Sequence, residues 1–225
     1  MLRQRIISAL FLVFFIASIV LFFPSNFLVY FLAVISGLSF WEFLKIRFSN
    51  LITFTSLLIF ICLIFVAHFP FFNNLFITLS VLIYALACIF ILSFPLNKTF
   101  LKNSLTWLFI GFSIHLGFFA SVFQIISTDP LSSLSLNFNN DRLFILYVVL
   151  ISVLMDSIAF FVGKNFGKRP FINNVSPNKT MEGFLSAVTI APIFLLLTSS
   201  QAFELPIILV FVVLCLVSIF AVIGD

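Results

Sequence analysis

The residues able to do chemistry cluster between positions 152 and 183: Ser152-Val-Leu-Met-Asp156-Ser157-Ile-Ala159-Phe-Phe-Val-Gly163-Lys164-Asn-Phe-Gly167-Lys168-Arg169-Pro170, then Ser176-Pro177-Asn178-Lys179-Thr180-Met181-Glu182-Gly183. Asp156 lies inside an apolar run, where an ionised carboxylate costs roughly 2.5–3.5 kcal/mol even on the lenient insertion scale. It is therefore expected to face a polar cavity, a cation or a partner, with Ser152 on its helix face at i−4. The connector 163–180 sets Lys164, Lys168, Arg169 and Lys179, with two turn glycines, against that carboxylate. Basic side chains alone could anchor to anionic headgroups, at about 1 kcal/mol each.

Ser176-Pro177 has the form of an N-cap followed by proline at the first helical position. On that reading Lys179, Glu182 and Ser186 fall at i, i+3 and i+7 on one helix face. Free amides with a lysine in the first turn suit phosphate. A carboxylate one turn further in suits a divalent metal or a lysine counter-charge. The expectation is an anion-plus-metal site at the edge of a membrane.

Composition defines the elements that must position these groups. The chain has 225 residues, of which 63% are hydrophobic and 8% charged, and its mean hydropathy is +1.33. A soluble domain carries roughly 25% charged residues, so lipid is the main solvent here. Eight apolar runs are predicted to span the bilayer as helices: 6–23, 27–41, 51–69, 75–94, 105–127, 143–163, 184–200 and 205–223. The second is short and is expected to tilt or to extend through Trp41. The first follows a basic lead, Met1-Leu2-Arg3-Gln4-Arg5, but has no small-x-small cleavage site after it and reads as a retained anchor.

With the N-terminus inside, the cytoplasmic segments hold Arg3, Arg5, Lys45, Arg47, Lys98, Lys102, Lys164, Lys168, Arg169 and Lys179, ten of the 11 basic residues. Arg142, on the outer loop 128–142, is the exception. This bias fixes the orientation. The fold class is thus all-α, a polytopic helical bundle of about eight transmembrane helices in a single domain, 1–225. Residues 1–142 act mainly as scaffold and 143–225 carry the site. Cys62, Cys88 and Cys215 lie singly in apolar runs with no C-x-x-C spacing, so they read as small core residues. His68 and His115 are expected to pack and hydrogen-bond, and Glu42 to pair with Lys45 at i, i+3. No nucleic-acid partner is expected.

The chain resembles the phosphatidate cytidylyltransferase (CDP-diacylglycerol synthase) family. The resemblance rests on Asp156-Ser157-x-Ala159-Phe160-x-x-Gly163-Lys164-x-x-Gly167-Lys168, on Ser176-Pro177-x-Lys179-Thr180-x-Glu182-Gly183, and on Gly224-Asp225 after the next span. The opening Leu2-Arg3-Gln4-Arg5-Ile6-Ile7-Ser8-Ala9 is similar to that of bacterial members. The family's later signature, with Lys-Asp, Pro-Gly-His-Gly-Gly and Asp-Arg-x-Asp, does not follow Asp225. A C-terminally truncated member is expected, one that inserts and folds but does not itself turn over substrate.

The resemblance implies transfer of a cytidylyl group from CTP to phosphatidic acid, with Mg²⁺, at the cytoplasmic face of a bacterial inner membrane. It implies catalytic roles for Asp156, Lys179, Glu182 and Asp225, and metal ligation by Asp225 and Asp156. Substrate-binding roles fall to Ser157, Lys164, Lys168, Arg169, Ser176 and Thr180. Membrane lipids are expected neighbours, and a homodimer is one compatible assembly. Competing readings are a CTP-dependent polyprenol or phytol kinase and a small transporter that uses Asp156 as its ion site.

Overall fold

A computed structural model describes residues 2–94, 102–127, 141–172, 176–199 and 207–224. Eight helices occur among the described residues: α1 (Leu2–Phe22), α2 (Ser25–Lys45), α3 (Asn50–Val66), α4 (Pro70–Leu92), α5 (Ser104–Ser127), α6 (Asp141–Phe166), α7 (Met181–Ser199) and α8 (Ile207–Gly224). Each coincides with one of the apolar runs. Their breaks have local causes: Pro24 stands extended ahead of α2 (φ −66°, ψ 154°), and Pro70 opens α4, where its missing N–H costs nothing. The run read as short is a full 21-residue helix that continues through Trp41 to Lys45. Lys45 places its ammonium 4.1 Å from the Trp41 ring centroid instead of pairing with Glu42.

Four helical stretches are long and apolar enough to cross a membrane: Ser25–Lys45, Pro70–Leu92, Ser104–Ser127 and Val148–Phe166. Shorter apolar helical stretches are Val13–Phe22, Asn50–Val66, Met181–Leu196 and Ile207–Val222. The protein is a polytopic membrane helical bundle. Many large apolar side chains face outward, Phe14, Phe54 and Ile208 among them, as lipid contact permits. Hydroxyls inside the helices donate to carbonyls one turn back, as Thr53 does to Ser49 (2.9 Å) and Ser218 to Leu214 (2.7 Å), which satisfies those donors within their own helix.

The core has two parts. Around α2, α3 and α5 it is aromatic, with Phe40, Phe60 and Phe119 fully buried and Phe40 stacked on Phe60 at 4.6 Å. Both histidines serve it through hydrogen bonds, as expected: His115 to the Gly111 carbonyl (2.8 Å) and the Ser39 hydroxyl (3.2 Å), His68 to the Ile64 carbonyl (3.0 Å). The second core, of Ile151, Met155, Ala191, Leu195, Val210 and Leu214, joins α6, α7 and α8. Tyr84 of α4 ties the two together by donating its hydroxyl to the Phe220 carbonyl of α8 (2.7 Å).

The all-α expectation holds but for one short ribbon, which corrects the expected helix start at Ser176-Pro177. Between α6 and α7 the chain forms an antiparallel ribbon, β1 (Pro170–Ile172) and β2 (Ser176–Thr180), with Pro170 opposite Thr180 and Ile172 opposite Ser176. Ser176-Pro177 therefore does not start a helix, and Lys179 does not share a helix face with Glu182 and Ser186. A proline pushes the residue before it into the extended region. Here pairing with β1 takes up that extended geometry, and the helix waits until Met181.

Candidate functional site

The α6–ribbon–α7 unit is held by close backbone approach. Ala159 and Gly163 near the end of α6, and Gly167 just past it, recur every four residues against Thr180 and Gly183. A Cβ on Gly183 would stand 2.7 Å from the Ala159 carbonyl oxygen, and one on Gly163 2.9 Å from Thr180 Oγ1. This is the small-residue packing by which membrane helices approach. Gly163 is thus not a turn glycine: it lies within α6, and Gly167 N–H closes the last turn onto its carbonyl at 3.0 Å.

Thr180 works at the junction. Its Oγ1 accepts the Gly183 N–H (3.2 Å), capping α7 one turn in. Phe171 of β1 stacks on Phe184 of α7 with centroids 4.3 Å apart, which presses the ribbon onto the helix.

These elements enclose a cavity of about 440 Å³ lined by Asp156, Lys164, Ser176, Asn178, Lys179 and Thr180 among its polar residues, with Phe160, Phe171, Phe184 and Val222 among its apolar ones. A second cavity, of about 330 Å³, shares Asp156, Ala159 and Val222 and adds Ser152, Met155 and Ala221. Asp156 thus fronts both. Its helix continues ten residues beyond it, to Phe166, so it lies roughly 15 Å from that end at 1.5 Å per residue. Ser152 shares the second cavity with Asp156, as its i−4 position implies, though its hydroxyl donates to the Val148 carbonyl (3.3 Å).

Not every residue expected at the site reaches these walls. Asp156, Lys164, Ser176, Lys179 and Thr180 do; Ser157, Lys168, Arg169 and Glu182 do not. Lys168 and Arg169 are exposed beside the cavity. Glu182, ahead of the apolar run, turns back on the loop, where its Oε2 accepts the N–H groups of Lys168 (3.0 Å) and Arg169 (3.2 Å). Those two amides and its own hold its carboxyl below the usual glutamate range.

Asp225 lies outside the described residues, although Val222, just before it, lines both cavities. Among the described residues no three His, Cys, Asp or Glu side chains gather into a metal-binding group. Sequence reasoning missed Asn178, Phe171 and Val222. Asn178 stood within the quoted motif, while the other two carry no signal beyond apolarity.

A membrane bundle with a carboxylate and two lysines on one cavity wall defines a class of site suited to anionic, phosphate-bearing ligands at a lipid boundary. Comparison with known proteins sharpens it. The cytidylyltransferase family model matches residues 3–225, and the chain belongs to that family. It is 29% identical over 223 residues to the phosphatidate cytidylyltransferase of Haemophilus influenzae, covering 87% of this chain and 73% of that protein. The phosphatidate cytidylyltransferase of Bacillus subtilis is 35% identical over 83 residues, 36% of this chain and 31% of that protein. That of Aquifex aeolicus is 49% identical over 43 residues, 19% of this chain and 17% of that protein. The chain thus spans less than a third of the latter two. No solved structure matches.

Proposed function

We propose that this chain provides the transfer site of a CTP-dependent enzyme that makes CDP-diacylglycerol and pyrophosphate from phosphatidic acid. The observation that carries the reading is the shared cavity, which sets Asp156 of α6 beside Lys164 and the ribbon's Lys179. The phosphate oxygen of phosphatidic acid attacks the α-phosphorus of CTP, the bond to the β-phosphate oxygen breaks, and pyrophosphate leaves with the bond's electrons. The nucleophile is already anionic, so the protein's task is alignment and charge compensation. Lys164 and Lys179 supply positive charge on the wall, and Ser176 and Asn178 supply polar contacts.

Carboxylate oxygen suits Mg²⁺, and Asp156 is the carboxylate on the cavity wall among the described residues. We assign Asp156, with Asp225, as the holders of that ion. When bound, it would offset phosphate charge. Glu182 is not assigned to it, because its carboxylate is engaged by the loop's backbone.

In this reading the bundle crosses the inner membrane eight times, with the N-terminus and the cavity cytoplasmic. The supporting observation is that the basic residues Lys45, Lys102, Lys164 and Lys179 all fall at helix ends or connectors of one parity. CTP then arrives from the cytosol and the lipid from the bilayer, with lipid neighbours around the helices. A homodimer is compatible with this arrangement.

The test is to supply the full-length protein in lipid with CTP labelled at the α- or the γ-phosphate. Label in lipid from α-labelled CTP supports cytidylyl transfer. Label from γ-labelled CTP alone would mean a kinase.

A further inference from the structure

We propose that Glu182 is a positioning residue, a clasp that holds the cavity's ribbon wall in place, and that it contributes neither metal ligation nor charge to the reacting phosphates. This rests on the cytidylyl-transfer reading of the site. The geometry points to it from three sides. The carboxylate's Oε2 accepts two successive loop amides, those of Lys168 and Arg169, at 3.0 and 3.2 Å. Next to it, Met181 N–H donates to the Arg169 carbonyl at 2.8 Å, so the start of α7 and the loop exchange donors and acceptors. Glu182 is also absent from the walls of both cavities around Asp156.

What the clasp holds is the wall itself. The loop runs directly into β1, whose Pro170 pairs with Thr180, and the ribbon brings Phe171, Ser176, Asn178 and Lys179 to the cavity. Two consecutive backbone N–H groups aimed at one oxygen form an anion-receiving pair. With Glu182 in that place the pair is satisfied by the protein and is not open to a substrate phosphate. Removing the carboxylate frees the loop and lets Lys179 wander. Replacing it with an amide leaves an acceptor oxygen for both donors.

The test compares Glu182→Gln and Glu182→Ala in the full-length protein, with readouts that separate holding from chemistry. Hydrogen exchange of the 168–169 amides is expected near the original rate in Glu182→Gln and about tenfold or more faster in Glu182→Ala, since exchange follows local opening. Where turnover is present, Glu182→Ala is expected to raise KM for CTP severalfold with the Mg²⁺ concentration for half-activity unchanged, and Glu182→Gln to restore it.

The proposal is overturned if both variants lose turnover equally with a raised Mg²⁺ requirement, which would make the carboxylate a ligand. It is equally overturned if the 168–169 amides exchange at the same rate in all three proteins. The exchange arm needs no turnover. A protein that shows the expected exchange pattern yet transfers no label from CTP would contradict the cytidylyl-transfer reading alone and leave the clasp standing.

Discussion

Asp156 and Lys179 line one cavity from unlike supports: the aspartate from within α6, the lysine from the strand β2 that precedes α7. The aspartate's helix is anchored next to it by Met155, which is almost fully buried. The lysine's position depends on a three-residue strand, a stacked phenylalanine pair and a threonine cap. A carboxylate on a helix and a cation on a separately held ribbon thus share one cavity.

Lys179 is expected to matter for turnover and not for folding. Lys179→Ala in the full-length protein should lower CTP-dependent lipid labelling by about 100-fold or more, the scale of losing one transition-state charge partner. Lys179→Arg should fall between, since a planar fork does not replace a point charge well. Membrane insertion and thermal unfolding should stay close to the original. A Lys179→Ala variant with normal labelling would return this residue to a lipid-anchoring role.

The glycine contact between α6 and α7 predicts a steep size limit. A methyl on Gly183 meets the Ala159 carbonyl at 2.7 Å, and backbone cannot easily withdraw. Gly183→Ala should cost roughly 1–3 kcal/mol by overpacking, seen as a lowered thermal midpoint in detergent. Gly37→Ala is the control, because its nearest neighbour, Leu57 Cδ1, would sit at an ordinary 4.0 Å. Equal midpoints for the two variants would refute close helix approach at Gly183.

Tyr84 joins the two core regions through one hydrogen bond to the Phe220 carbonyl. Tyr84→Phe keeps the ring, which lies 6.2 Å from that of Phe220, and should cost about 0.5–1.5 kcal/mol. Because Phe220 lies just ahead of Val222 on the cavity wall, substrate KM should also rise modestly. Unchanged stability and unchanged KM together would show that the bond is idle.

Glu182 also predicts a pH response. Its folded pKa is depressed by backbone N–H donors, so the stability it adds is complete above the unfolded glutamate value. That contribution is lost as pH falls through the lower folded value. Exchange protection of the 168–169 amides should therefore persist through neutral and mildly acidic pH and fade only below the ordinary glutamate range. Protection lost already near neutrality would contradict the assignment.

The helices were legible in the sequence because lipid leaves an apolar run of about 20 residues one way to satisfy its backbone. Pro70 marks a start that hydropathy alone blurs, whereas Trp41 lies inside α2, which runs on to Lys45. The ribbon was not legible in the same way. Ser176-Pro177 is compatible with both a helix start and an extended strand, and the choice is made by pairing with β1 just upstream, a three-residue strand that carries no alternating pattern of its own. Gly163 and Gly167 read as turn glycines, which for Gly163 is wrong, since it lies inside α6. Only the partner surface at Thr180 and Gly183 shows that they let α6 and the turn after it approach the ribbon and the start of α7. Asp156 and Lys179 could be singled out because a charge in or beside hydrocarbon demands a reason. Val222 and Phe171 could not, since one more apolar side chain in this chain stands out from nothing.

The central claim is that the cavity around Asp156 transfers a cytidylyl group, and Asp156→Asn tests it most directly. Asparagine keeps the size and some hydrogen bonding but removes the charge that a metal ion needs. The full-length protein and its Asp156→Asn variant, reconstituted with phosphatidic acid and Mg²⁺, are given α-labelled CTP and the labelled lipid is counted. The expected result is CDP-diacylglycerol from the original protein and a loss of about 100-fold or more in the variant, with both equally folded. Equal labelling by the two proteins would place the reaction elsewhere and contradict the site described above.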